Sequence, residues 1–80
     1  MAITFTDEQL SAVAHNHEWS VTDEQIEALR VEAAAHGDYA QADLCTTALE
    51  GEDAKDRADA RFECARVIAE AAAQIVQGGE

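Results

Sequence analysis

The 80-residue chain contains no proline and only four glycines, Gly37, Gly51, Gly78 and Gly79. With so few backbone breakers, long helices interrupted at few points are expected. Two cysteines, Cys45 and Cys64, are too few for a disulfide scaffold. Aromatics are limited to Phe5, Trp19, Tyr39 and Phe62. No apolar run approaches the roughly 18 residues that a membrane span requires. The N-terminus shows no basic region followed by an apolar stretch, so no secretory leader is expected and a cytoplasmic chain is the default.

The apolar fraction is 48%, but alanine supplies 18 of those 38 residues. A chain of this size buries only about 60% of its unfolded surface. The core should therefore be close-packed but thin, with modest stability or help from self-association.

The stretch "FTDEQL" at residues 5–10 returns as "VTDEQI" at residues 21–26. In each copy a threonine precedes a glutamine by three positions, the capping-box spacing. The hydroxyls of Thr6 and Thr22 can accept from first-turn backbone N–H groups, and Gln9 and Gln25 can reach back to the caps. Phe5 with Leu10 and Val21 with Ile26 stand at hydrophobic-staple spacing. Asp7, Glu8, Asp23 and Glu24 sit where a helix dipole favours negative charge. Two helix starts, rather than a duplicated binding box, are the reading these residues support.

Four helices follow, in one all-α domain spanning residues 1–80 with a long C-terminal helix. The first runs from about Asp7 to His15. The second runs from about Asp23 to His36, stopped by Gly37. The third is capped by Asp38, with Gln41 in the boxing position, and ends at Gly51. The fourth starts at Asp53 and continues to about Val76. The segment "AITF" alternates without an evident partner strand, so residues 1–5 read as an extended arm.

Helix 2 shows one apolar stripe, Ile26, Leu29 and Ala33. Helix 3 is apolar on two sides, Ala42, Cys45 and Leu49 on one and Ala40, Leu44 and Ala48 on the other, and should be central. In helix 4, Ala58, Phe62, Ala65, Ala69, Ala72 and Val76 recur at coiled-coil-like spacings. A second ridge, Cys64, Ile68, Ala71 and Ile75, widens that stripe. Helix 4 is thus expected to pack along the bundle, to pair with its copy in a homodimer, or both.

Little in the chain resembles chemistry. His15, His17 and Glu18 cluster at the end of helix 1, and Cys45 and Cys64 would be needed to complete a zinc site of about four ligands. Their spacing matches no standard finger, and both cysteines fall on apolar helix faces, where they act as small hydrophobes. Histidines complementing a helix dipole are the simpler reading. No metal, cofactor or catalytic group is expected, and neither a nucleophile with its base nor a phosphate loop is present. An enzyme is not expected. Trp19, in the connection "HNHEWSV", either plugs the end of the bundle or forms an interface anchor flanked by Glu18.

Charge is the main excess. Net charge is −12; residues 1–54 hold twelve acids and one base, whereas residues 55–80 hold five acids and four bases. Helix caps account for part of this, but Glu18, Glu27, Glu32, Asp43 and Glu50 have no capping role. Acids also confer solubility, but self-repulsion costs a thin-cored domain stability. A functional use of the field is therefore sought in a partner with a basic, nucleic-acid-binding surface. Glu18, Trp19, Asp23, Glu27, Glu32 and Asp43 are the expected partner-binding residues. Direct binding to nucleic acid is disfavoured by the same field.

The segment from Ala28 to Gln74, carried by "EALRVEAAAHGD", "LCTTALEG" and "ECARVIAEAA", resembles small proteins of bacterial phages and mobile elements. The resemblance covers more than half the chain and consists of helix faces and caps; the insert "EDAKDRADARF" is longer than the usual connection. In size, acidity and helical character the chain is also similar to anti-CRISPR proteins, several of which are acidic decoys for DNA. That likeness implies an inhibitor that mimics DNA, in a host cytoplasm, with a CRISPR effector complex as one candidate partner. It carries no site residues. The alternative is a phage or mobile-element structural or regulatory accessory protein that oligomerises through helix 4.

Overall fold

In the computed structural model, which describes residues 3–78, both copies of the repeat open a helix. α1 spans Asp7–Ala14, α2 Asp23–Ala35, α3 Tyr39–Glu50 and α4 Ala54–Gly78. Among the described residues no strand forms. At about 1.5 Å per residue, the 25 residues of α4 match the longest molecular dimension, 37 Å.

Both capping boxes are complete. Gln9 N donates to Thr6 Oγ1 at 3.1 Å and Thr6 N donates to Gln9 Oε1 at 3.0 Å. The same exchange joins Thr22 and Gln25, at 3.1 and 2.9 Å. α1 ends on Asn16, whose φ of 58° places it in the left-handed region. His17 N then returns to Ala12 O and Asn16 N to Val13 O, the Schellman pattern that satisfies the last carbonyls. Gly37, at φ 79°, repeats the motif for α2, with Asp38 N on Ala33 O. Asp38 caps α3 at once, its Oδ1 accepting from Gln41 N at 3.2 Å.

Three expectations are corrected here. The Gln41 side chain does not return to its cap; it turns inward, with Nε2 3.7 Å from the sulfurs of both Cys45 and Cys64. The central position is shared: α4 contacts the other three helices, while α3 forms the two most extensive seams, with α2 and α4. Of the second apolar side of α3 only Ala48 is buried, and Ala40 and Leu44 are exposed.

The third correction concerns α4 itself. Its buried residues are Ala60, Cys64, Ile68, Ala71 and Ala72. The ridge around Cys64 and Ile68 therefore faces the core, and of the longer ridge only Ala72 is buried. Cys64 and Ile68 lie fully buried against Cys45, Ile26, Leu29 and Ala48. Alanine and cysteine along this seam bring the helices close together, a fit that Phe62 would prevent. Phe62 is 64% exposed.

The N-terminal segment is less free than an arm. Ile3 is buried within the core cluster, and Thr4 O accepts from Gln25 Nε2 at 2.9 Å. Met1 and Ala2 lie outside the described residues.

Candidate interaction surface

The two glutamines of the repeat are not exposed for recognition, because they are consumed by each other. Gln9 and Gln25, 8% and 5% exposed, join their amides across the start of α1 and α2. Gln9 Nε2 also reaches Ser20 O at 3.1 Å, and Gln25 Nε2 reaches Thr4 O. Each carbonyl oxygen thus accepts twice and each amide nitrogen donates twice, the full capacity of the group. The backbone N–H of each cap threonine requires an acceptor, which fixes the amide orientation. The two copies form a local two-fold pair that locks the chain entry.

The basic side chains are similarly committed. Arg30 of α2 bonds Glu27 and reaches Thr46 and Glu50 of α3 at 3.3 and 3.4 Å. The hydrogen bond to Glu27 raises the guanidinium above its ordinary pKa, although burial opposes the effect; it is ionised throughout. Arg57 donates to the carbonyls of Gly51 and Glu52, closing the α3–α4 connection. Gly51 is required there, since an added Cβ would lie 2.7 Å from Thr47 O. Arg61 crosses from α4 to Asp23 at 2.8 Å and to Val21 O at 3.0 Å. Lys55 pairs with Asp59 and Arg66 with Glu63 along α4. All five cations of the chain are therefore engaged internally.

The negative surface is what remains. Asp7, Glu8, Glu18, Glu24 and Asp43 are exposed and form no ion pair among the described residues. Among the described residues each lysine and arginine is bonded elsewhere, and a partner would meet this field directly.

The six residues expected to bind a partner are not brought onto one face. Glu18, Trp19 and Asp23 lie together at the α1–α2 connection, with Asp23 already held by Arg61. Glu27 lies at the α2–α3 seam, bound to Arg30. Glu32 is half-buried, and five residues further along α2 it is turned about 140° from Glu27. Asp43 is exposed on α3, one heptad before Glu50, so the two share a face.

Trp19 packs against the core cluster. It is half-buried and meets Phe5 edge-on, with centroids 6.3 Å apart. Its other side lines an apolar groove with Val21, Phe62, Ala65, Arg66 and Ala69. Sequence reasoning missed this groove because it left open whether the Phe62 ridge packs along the bundle or pairs with a copy. The contrast that could have revealed it was the size of Phe62 among alanines, against a flanking ridge of Cys64 and Ile68.

The histidines stand apart from the cysteines. His15 and His17 are exposed, with rings 5.9 Å apart, and His15 Nδ1 lies 2.9 Å from Ser11 O. Cys45 and Cys64 are buried between α3 and α4. Among the described residues no group of three or more His, Cys, Asp or Glu side chains is arranged to hold a metal. Also among them, no helix is long and apolar enough to cross a membrane. In comparisons with known proteins, the chain matches no family model, no curated protein and no solved structure.

Proposed function

We propose that this chain is an acidic protein-interaction module without enzymatic activity, acting in the cytoplasm as an anti-CRISPR-type inhibitor. Its negative surface covers the nucleic-acid-binding surface of a protein partner and competes there with DNA or RNA. The observation supporting this reading is that each lysine and arginine is bonded within the chain, while the exposed Asp7, Glu8, Glu18, Glu24 and Asp43 form no ion pair among the described residues. Opposite-sign contact of this kind speeds encounter and is screened by salt. Capture of partners from host lysate, followed by competition with duplex DNA on the purified partner, tests it. Displacement of the module by DNA is the expected result; simultaneous binding of both would overturn the reading.

A second reading rests on the outward ridge of α4. Phe62 is exposed, and Ala65 and Ala69 beside it are small enough for another helix to approach closely. A homodimer through this face would suit a phage or mobile-element structural or regulatory accessory protein. Sedimentation of the wild-type chain and of Phe62→Glu separates the two readings. A dimer that dissociates in the variant favours the accessory role, and a monomer in both removes it.

A further inference from the structure

Cys45 of α3 and Cys64 of α4 are each fully buried, nineteen positions apart in sequence, with Sγ atoms 3.5 Å apart. Both are free thiols. A disulfide bond measures about 2.05 Å, so closure requires the sulfurs to approach by about 1.5 Å. Adjustment of two χ1 angles and a small movement of the helices can supply that. The surroundings are apolar apart from Gln41, whose amide lies 3.7 Å from each sulfur. The placement joins the helix pair on either side of the Gly51–Asp53 connection, so a bond here would fix the α3–α4 seam.

We propose that Cys45 and Cys64 form a redox pair that closes to an intramolecular disulfide by exchange with a low-molecular-weight disulfide. One protein thiolate attacks the external disulfide, forming a mixed disulfide and releasing one small thiol. The second protein thiolate then attacks the protein sulfur of that mixed disulfide and expels the second small thiol. Two cysteine thiols are oxidised, one external disulfide is reduced to two thiols, and the protons pass to the released thiolates. Because both sulfurs are buried, the first step proceeds through a local opening of the seam. Burial, reinforced by Cys45, also pushes the Cys64 thiol up to about 12, which holds the closed dithiol inert. The second step has its nucleophile already in place, so the mixed disulfide is short-lived. In a reducing compartment the pair rests as the dithiol and responds to oxidative load.

The test equilibrates the native full-length chain in glutathione buffers of rising oxidation, followed by acid quenching and intact mass measurement. Because the chain has only two cysteines, the products need no mapping. The expected product is a monomer lighter by about 2 Da, free of glutathione, with its melting temperature raised by several degrees. A persistent glutathione adduct, a covalent dimer as the main product, or a native dithiol that survives buffers able to oxidise the denatured chain would each overturn the proposal.

Discussion

Gln9 and Gln25 exchange a reciprocal pair of amide hydrogen bonds, Gln9 Nε2 to Gln25 Oε1 at 3.0 Å and Gln25 Nε2 to Gln9 Oε1 at 2.7 Å. Each is also the closing residue of its own capping box. One buried side chain therefore serves a helix start, a partner amide and a backbone carbonyl of the opposite strand of chain. Local capping and long-range docking are carried by the same atoms.

Replacing either glutamine by methionine removes this satisfaction from one side only. Thr6 N or Thr22 N loses its acceptor, and the remaining amide loses its buried partner. Each single change should cost about 2–4 kcal/mol, because a buried polar group left unpaired bears its full desolvation penalty. The double replacement should cost less than the sum, with a coupling of about 1 kcal/mol or more. Denaturant titration of the four proteins of the cycle measures it; strict additivity would show that the two amides act independently.

Thr22→Ala probes the cap alone. Loss of the hydroxyl acceptor should reduce stability by about 1 kcal/mol. Partner binding should be unchanged at temperatures where the fold persists. Weakened binding with an unaltered thermal transition would show that "TDEQ" is a recognition element.

How far the sequence announced this structure depends on the range of each interaction. Thr6, Thr22 and Gly37 were legible because caps and left-handed stops are decided within a few residues. The stripe of Ile26, Leu29 and Ala33 was legible because it is the only apolar face of α2. Asn16 was not, since asparagine enters the left-handed region only when its neighbours favour it. The choice between the two ridges of α4 could not be made locally; it depends on how closely α3 approaches, which Cys45 and Ala48 determine from the other side. Likewise, a periodic pattern cannot say that Gln41 turns from its cap toward two sulfurs. The acidic surface was readable as an amount of charge but not as a shape. Arg61 reaches from α4 to Asp23 and Arg30 from α2 to Glu50 of α3, pairings invisible in sequence spacing.

Alkaline solution should expose the buried thiol. Cys64 holds its proton to about 12 when folded, against an ordinary value of 9.0. Between these values the unfolded chain binds fewer protons than the folded one, so stability falls as pH rises. Below about 9 the contribution is fully present. Chemical denaturation from pH 8 to 11, under reducing conditions, should show this decline, and Cys64→Ala should flatten part of it. An identical slope in the variant would mean that other groups govern alkaline unfolding.

The acidic surface can now be tested with residues chosen by the structure. Reversing Glu27 would also strip Arg30 of its bonded carboxylate, confounding charge with local structure. Glu18 and Asp43 are better, being exposed and free of ion pairs among the described residues. Converting both to lysine should preserve or raise stability by relieving self-repulsion. It should weaken partner binding about tenfold or more, mainly through the association rate, and flatten the dependence of that rate on salt. Glu70→Lys, on the charge-balanced α4, should have a much smaller effect. Binding kinetics at low and high salt distinguish the outcomes. If Glu70→Lys proves as damaging as the double reversal, or if wild-type affinity ignores salt, the working surface is the Phe62 face of α4 rather than the acidic one.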